Sequence, residues 1–235
     1  MRRLVIGDVH GHYAGLMSLL DFVGLTERDR LYFLGDLIDR GEESAAVVSW
    51  VMGRATESLL GNHEHMCLEA HRHPPTSMAW QGWLANGGVK TLASYAEGVV
   101  SPEHLVWMAQ RPPYLDLGEV WLVHAGVNPG LPLHEQGIQE FCWIREPFFC
   151  SPKPFFPDKT IVTGHTITFM FPGVEPGQLA AGAGWLNLET GAYHPKSGWL
   201  TALDVDNRRV YQSNVFHRQN RVRALEEITV YFEAV

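Results

Sequence analysis

Hydrophobic segments alternate with amphipathic ones along the first quarter of the chain. Three short hydrophobic segments, each followed by turn residues, are typical of buried strands: residues 4–6, 31–34 and 58–60. Two segments between them carry apolar residues at helical spacing: residues 16–23, just before Gly24, and residues 44–52. The order strand, helix, strand, helix, strand predicts an α/β fold with a parallel sheet.

The rest of the chain is predicted to hold helices first and strands afterwards. Helices are expected at residues 78–85, at residues 89–95, and from residue 101 onward with Pro102 at the first helical position. Strands are expected at residues 114–117, 120–123, 160–163 and 185–188, in a hairpin over residues 200–211, and at residues 228–232. No segment has the composition of a flexible linker, so residues 1–235 are expected to form a single domain.

Aromatic residues mark two further regions. Trp80, Trp83 and Trp107 fall at helical positions and are predicted to lie in the core. Residues 148–157 are rich in Phe and Pro without a clear period, which predicts a loop. Because this loop follows Arg145 directly, we expect its phenylalanines to be available to an aromatic ligand such as adenine.

Composition and charge weigh against several classes of protein. A hydrophobic content of 46% with 19% charged residues is ordinary for a globular protein, and no apolar stretch is long enough to cross a bilayer. The net charge of -8 argues against a nucleic-acid interface. A cleavable signal would remove Asp8 and His10, and three cysteines without paired spacing indicate a reducing compartment. We therefore expect a cytoplasmic protein with no membrane and no nucleic-acid partner.

Five glycine-containing motifs each follow an apolar segment. They are Gly7-Asp8-Val9-His10-Gly11, Gly35-Asp36-Leu37-Ile38-Asp39-Arg40-Gly41, Gly61-Asn62-His63-Glu64, Val123-His124-Ala125-Gly126 and Gly164-His165-Thr166. Open α/β sheets bind ligands at the carboxyl ends of their strands. Glycine permits sharp turns there, so the polar side chains of the five loops can converge.

These motifs contain a ligand set for two divalent cations. Asp36 is the natural bridging carboxylate, and Asp8 and His10 are spaced to reach one cation together. The second cation would be completed by three further side chains: Asn62, His124 and His165. Mixed oxygen and nitrogen ligands favour manganese, iron or zinc over calcium or magnesium. Two cations in such a site activate water against a phosphate ester.

Four more residues are candidates for acid catalysis and phosphate binding. His63 adjoins Asn62 and could act as general acid for the leaving oxygen, with Asp39 holding its imidazole in the correct tautomer. Arg40 offers a planar fork to phosphate oxygens. Arg145 is either a second phosphate clamp or a surface charge on a helix, and the pattern leaves both interpretations open.

The order of these motifs resembles that of a known family. GDVHG, GDLIDRG, GNHE, HAG and GHT, with the segments WLANGG and WIRE, are similar to the motifs of calcineurin-like metallophosphoesterases, and within them to compact prokaryotic and phage members of the serine/threonine phosphoprotein phosphatase family. The resemblance extends from about residue 4 to about residue 205, and GDLIDRG with GNHE is its most specific part. It implies a β-sandwich flanked by helices, two cations (commonly manganese), and the ligands and roles described above. Two departures are Glu189, where the family usually has Asp, and the missing SAPNY segment of the eukaryotic enzymes.

Three functional hypotheses follow from the residues and the resemblance. The first is hydrolysis of phosphomonoesters, mainly phosphoserine or phosphothreonine in proteins, with phosphotyrosine left open. The alternative is symmetrical hydrolysis of diadenosine tetraphosphate. Relatives with that activity tend to carry Ala at the position of Asp39 and Asp at that of Glu64, which favours the monoesterase. A non-catalytic binding module is the third hypothesis, although every ligand and acid position is filled.

Overall fold

Two mixed six-stranded sheets lie face to face at the centre of the protein. The computed structural model describes residues 1–232 of the 235-residue chain. One sheet has the spatial order β11 (Gln219–Ala224), β10 (Arg209–Asn214), β9 (Trp199–Asp204), β1 (Arg3–Ile6), β2 (Arg30–Phe33) and β3 (Glu57–Ser58). The other has the order β12 (Thr229–Tyr231), β7 (Leu179–Gly182), β8 (Trp185–Asn187), β6 (Thr160–Thr163), β5 (Val120–Val123) and β4 (Tyr114–Asp116).

The strands that lead to the motifs are parallel. β1 pairs with β2, and β2 with β3, as the alternation of strands and helices predicts. In the second sheet, β5, β6 and β8 are parallel neighbours. The predicted hairpin is formed by β9 and β10, with Asp204 opposite Arg209. β7 and β11 are not predicted from the sequence, because small residues dominate one and polar residues the other.

The central strands are apolar at successive positions because their side chains alternate between two faces that are both buried. In β1, Val5 faces the other sheet, whereas Leu4 and Ile6 pack under helices on the outer face. In β5, Leu122 faces inward and Trp121 outward. Both faces of these strands are therefore buried, which removes the polar alternation of a half-exposed strand. The arrangement confirms the predicted α/β sandwich flanked by helices.

Helices cover the outer faces of the two sheets. The first sheet is covered by α1 (Tyr13–Val23), α2 (Ser44–Arg54), α3 (Asn62–His71), α4 (Met78–Trp83), α5 (Val89–Ser94) and α6 (Pro102–Ala109). The second is covered by α7 (Ile138–Trp143) and α8 (Glu146–Phe149), and α9 (Leu225–Ile228) precedes β12. Gly24 ends α1 in the left-handed conformation at the predicted position. Within residues 1–232, no helix combines the length and apolarity needed to cross a bilayer.

One segment keeps its predicted break and another differs from its predicted structure. The break expected between residues 85 and 89 is a kink at Gly87, whose φ of 113° is not helical, within the segment Leu84–Gly88 that joins α4 to α5. The loop expected at residues 148–157 begins inside α8, where Phe148 and Phe149 are buried against Trp185. These two rings complete the core over the second sheet, so the expectation that they are available to an aromatic ligand is wrong.

The core between the sheets generates a stability prediction. Leu122 is fully buried there, so Leu122→Ala should lower the free energy of unfolding by about 2–5 kcal/mol through lost burial and a residual cavity. Val106 is exposed on α6, and Val106→Ala should change the same quantity by less than about 0.5 kcal/mol. Urea unfolding of both variants measures the difference. Equal effects would contradict the packing described here.

Candidate active site

The five motifs converge at the carboxyl ends of the strands. Asp8 follows β1, Asp36 follows β2, Asn62 begins α3 after β3, His124 follows β5 and His165 follows β6. All five side chains are buried. Strands from both sheets therefore contribute to one centre, which lies where the sandwich opens toward its carboxyl-end loops.

Backbone strain is concentrated at this centre. Most of the non-glycine residues with left-handed φ among residues 1–232 belong to the predicted site: His10 (46°), Asp36 (49°), Asp39 (71°), Arg40 (70°) and His165 (65°). Such conformations are unfavourable for residues with a side chain and persist only where surrounding contacts impose them. The loops are thus held in shapes that aim their side chains inward at a cost in local stability.

Asp36 lies at the junction of two groups of ligand atoms. Its Oδ2 is 3.7 Å from His10 Nε2 and 3.9 Å from His63 Nε2. Its Oδ1 is 3.4 Å from His124 Nε2, and His165 completes the group on that side. Each group has three ligand atoms close enough together to hold one cation, and Asp36 belongs to both.

On the His124 side of Asp36, the side-chain lone pairs are arranged to bind a cation rather than to form hydrogen bonds with one another. His124 Nδ1 is 2.9 Å from the carbonyl oxygen of Leu34, so its proton lies there and Nε2 carries a lone pair. That lone pair faces Asn62 Oδ1 at 2.9 Å, and burial lowers the pKa of His124, which keeps the ring neutral. Two acceptors therefore face each other. His165 Nε2 is also buried, with no hydrogen-bond partner among residues 1–232.

His10 is oriented in the same way on the other side of Asp36. Its Nδ1 lies 2.9 Å from the carbonyl oxygen of Ile38, which leaves the Nε2 lone pair directed to the centre. Burial lowers the pKa of His10 well below its usual value. The imidazole is therefore neutral and available as a ligand.

Asp8 is held at the centre by the loop that follows β6. Its carboxylate accepts a hydrogen bond from the backbone N–H of His165, with an Oδ2 to N distance of 3.0 Å. The two compact groups of three ligand atoms around Asp36 do not include Asp8. That Asp8 and His10 reach one cation together stays a prediction.

The centre holds more buried negative charge than its protein partners neutralise. Burial, aided by Glu189 and Asp36, raises the pKa of Asp8 well above its usual value. Burial also raises the pKa of Glu64 to about 7 and that of Glu189 to about 8. Burial would raise the pKa of Asp36, but that pKa is lowered, with the protonated His63 ring and the backbone N–H of His63 among the causes. A divalent cation would neutralise such a cluster directly.

His63 and Asp39 form a buried pair behind the centre. His63 Nδ1 lies 2.6 Å from Asp39 Oδ2, and the opposite ring nitrogen points toward Asp36. Burial alone would lower the pKa of His63, but Asp36 and Asp39 together raise it. The imidazole therefore tends to keep a proton on the nitrogen that faces the centre.

Two arginines reach the rim of the centre. Arg40 Nη1 is 3.3 Å from His10 Nε2, and its guanidinium stacks 3.8 Å from the centre of the Tyr193 ring. Arg145, the exposed residue just before α8, donates from Nη1 to Thr166 Oγ1, next to His165, at 2.7 Å. Both interpretations of Arg145, phosphate clamp and surface charge, stay predictions.

Sequence reasoning did not assign roles to two residues that shape the centre. Glu64 accepts hydrogen bonds from the backbone N–H groups of Asp36 (2.8 Å), Leu37 (2.8 Å) and Gly61 (3.0 Å), so it ties the β2 and β3 loops together. Its position three residues after Gly61 at the start of α3 is a capping signal that predicts the bond to Gly61, but not those to Asp36 and Leu37. Tyr193 lies in a turn-rich segment, and no local pattern indicates its stacking on Arg40.

A family model supports the identity that the motifs indicate. The model for calcineurin-like phosphoesterases matches residues 1–187. The chain belongs to the calcineurin-like phosphoesterase family. This phosphoesterase is therefore a member of a hydrolase family that uses divalent metals, and its Asp and His groups can bind them.

Curated relatives of the phosphoesterase carry two different names. "Serine/threonine-protein phosphatase 1" of Salmonella typhimurium is 33% identical over 112 residues, which is 47% of this chain and 50% of that protein. "Bis(5'-nucleosyl)-tetraphosphatase, symmetrical" of Methylococcus capsulatus is 34% identical over 128 residues, covering 53% and 42%. The chain spans about half the length of the curated relatives it matches.

Solved structures show the same fold. The structure of a candidate diadenosine tetraphosphatase has a TM-score of 0.62 at 20% identity, with 94% of this chain and 92% of that chain covered. At this identity, the similarity applies to the fold and not to the substrate.

The raised pKa of Glu189 predicts how stability depends on pH. Without cations, the folded chain keeps a proton on Glu189 up to pH about 8, whereas the unfolded chain releases it near the ordinary value of 4.5. Because the folded state binds more protons in this window, stability should fall as pH rises from about 5 to 8. Glu189→Gln removes this titration, so its Tm in a chelator should decline less over that range than the Tm of the wild type.

The control for this prediction is Glu27→Gln, which changes an exposed carboxyl and should keep the wild-type pH dependence. Calorimetry of the three proteins between pH 5 and 9 makes the comparison. Parallel Tm curves for Glu189→Gln and the wild type would contradict the assignment of a buried, protonated Glu189.

Proposed function

We propose that this phosphoesterase hydrolyses its substrate with two divalent cations. The mixed ligand set suits manganese, iron or zinc, and manganese is the cation that the family resemblance implies. Asp8, His10 and Asp36 would hold the first cation. Asp36 would bridge to the second, which would be completed by three side chains: Asn62, His124 and His165. The observation that carries this proposal is that Asp36 belongs to both groups of convergent ligand atoms.

When bound, two cations supply an activated water and neutralise charge on the transferred phosphoryl group. The protein supplies the remaining functions. Arg40, stacked on Tyr193, presents its guanidinium beside His10, where it can bind two phosphate oxygens. Arg145 can bind a further phosphate oxygen. Fixed cationic groups at these positions stabilise charge that develops on the phosphoryl oxygens in the transition state.

His63 is proposed as the general acid rather than as a metal ligand. Its Nε2 is also close enough to His10 and Asp36 to form part of a cation site, so both roles are geometrically open. The 2.6 Å contact between Nδ1 and Asp39 and the raised pKa favour a protonated ring, and a protonated nitrogen cannot bind a cation. Nε2 would then donate its proton to the leaving oxygen.

The first candidate substrate is a dinucleoside tetraphosphate. Relatives named symmetrical bis(5'-nucleosyl)-tetraphosphatase include those of Methylococcus capsulatus and Salmonella arizonae, and they support this class ahead of phosphoproteins. Symmetrical attack by water on diadenosine tetraphosphate would release two molecules of ADP. Phe148 and Phe149 are buried, so they do not provide the base-binding surface for this substrate.

A phosphoserine or phosphothreonine protein is the second candidate, and the His63–Asp39 pair favours it. A leaving phosphate oxygen is stable as an anion, whereas a serine or threonine alkoxide needs a proton as it departs. A positioned acid therefore contributes more to phosphomonoester hydrolysis. The name of the Salmonella typhimurium relative supports the same class.

The proposed role of Asp36 predicts a large loss of activity on substitution. Asp36→Asn should lower kcat with manganese and p-nitrophenyl phosphate by more than about 100-fold, because even changes outside the ligand shell commonly cost 10–100-fold. A chelator should abolish wild-type activity, and added manganese should restore it. Asp158→Asn, an exposed carboxylate at the opposite edge of the sandwich, should behave as wild type. Retained activity in Asp36→Asn would exclude the bridging role.

A direct comparison of substrates separates the two classes. The manganese-loaded protein is assayed with diadenosine tetraphosphate and with a phosphoserine peptide, and kcat/KM is compared. We expect the tetraphosphate to be preferred and to yield ADP alone. A preference for the peptide would instead support the second class, and turnover of neither would contradict both. In either case, Asp39→Ala should reduce hydrolysis of the peptide more than that of the tetraphosphate, because only the peptide's leaving oxygen depends on the acid.

A further inference from the structure

The carboxylate of Asp39 is held from several sides. It is fully buried, and its Oδ2 accepts a hydrogen bond from His63 at 2.6 Å. Thr91 Oγ1 donates to Oδ1 at 2.6 Å, and the indole N–H of Trp83 lies 3.1 Å from both oxygens. Three side chains from three helices, α3, α4 and α5, thus converge on one carboxylate.

The backbone of Asp39 is restrained by the same surroundings. Its N–H group contacts Thr91 Oγ1 at 2.8 Å and Ser44 Oγ at 3.1 Å. The φ of Asp39 is 71°, a conformation that needs such contacts to persist. Thr91 therefore accepts from the backbone of Asp39 and donates to its side chain, which restricts rotation of the carboxylate about its own bonds.

The WLANGG segment, residues 83–88, packs around Asp39, which its sequence does not predict. Trp83 ends α4, and the kinked segment Leu84–Gly88 connects it to α5, which contains Thr91. A Cβ at Gly88 would lie 2.6 Å from the indole ring of Trp83, so glycine is needed for the turn to pack against it. Segment 83–91 consequently wraps around Asp39.

From this geometry we propose that Trp83 and Thr91 are positioning residues for proton donation by His63. They act through Asp39, and the proposal rests on the acid role proposed for His63. With its oxygens held by Trp83 and Thr91, Asp39 keeps Oδ2 facing His63 Nδ1. This fixes the imidazole plane and directs Nε2 to the leaving oxygen. Trp83 is a core residue, as predicted, but its indole N–H serves the site.

The test measures how strongly hydrolysis depends on the leaving group. Phenyl phosphate has a poor leaving group that needs a proton, and 2,4-dinitrophenyl phosphate has a good one that does not. A general acid contributes about 100- to 10,000-fold only where the proton is needed. With manganese present, Trp83→Phe should lower kcat for phenyl phosphate on the order of tenfold, a partial loss of that contribution, and change kcat for the dinitrophenyl ester by less than about twofold.

A matched control is available one helical turn earlier. Trp80 donates its indole N–H to the carbonyl oxygen of His73 and, within residues 1–232, makes no hydrogen bond to Asp39. Trp80→Phe removes the same atoms and should leave the leaving-group dependence as in the wild type. Thr91→Val removes a different donor to the same carboxylate and should reproduce the selective loss. If a Tm measurement shows that Trp83→Phe fails to fold, Thr91→Val still tests the proposal.

His63→Asn in the same assay distinguishes the acid role of His63 from the positioning role of Trp83 and Thr91. A selective loss on phenyl phosphate in His63→Asn, together with equal losses on both esters in Trp83→Phe and Thr91→Val, overturns the positioning role alone. No selective loss in His63→Asn overturns the acid assignment and the positioning role with it. Selective losses in all three variants, with none in Trp80→Phe, are the expected result.

Discussion

The centre depends on the close contact between the loops that follow β2 and β3. Asp36 is held there with φ at 49° because the carboxylate of Glu64 accepts hydrogen bonds from the backbone of both loops. A Cβ at Gly61 would lie 2.3 Å from both Asp36 N and Oδ1, so this approach requires glycine. If the two loops separated, the carboxylate shared by the two ligand groups would lose its position relative to every histidine around it.

Electrostatics makes this arrangement costly for the fold alone. Several carboxyl groups are buried within a small volume, and burial raises the pKa of three of them. The neutral imidazoles nearby offer lone pairs rather than positive charge. Such a cluster is stable only with protons or cations present, because an unpaired buried charge is expensive. The sandwich core supplies the stability that the centre lacks.

The loop that contains Asp39 and Arg40 carries both the carboxylate that contacts His63 and one arginine of the centre. It packs against Gly87 and α5, and Tyr193 stacks on the guanidinium. Asp39 and Arg40 are thus adjacent residues of strained backbone. Under the proposed roles this adjacency bears on substrate class, since an acid matters for alkoxide leaving groups and an arginine for any phosphoryl group.

Local patterns determined the parallel strands, the helices between them and the polar loops at their ends, because side-chain periodicity and glycine placement act over a few residues. They also determined which residue types face the centre, because the ability of a side chain to bind a cation depends on its residue type. Strands β7 and β11 and the burial of Phe148 followed only from tertiary packing. The same is true of Tyr193 on Arg40 and of Trp83 on Asp39, because contacts between distant segments depend on how sheets and helices stack.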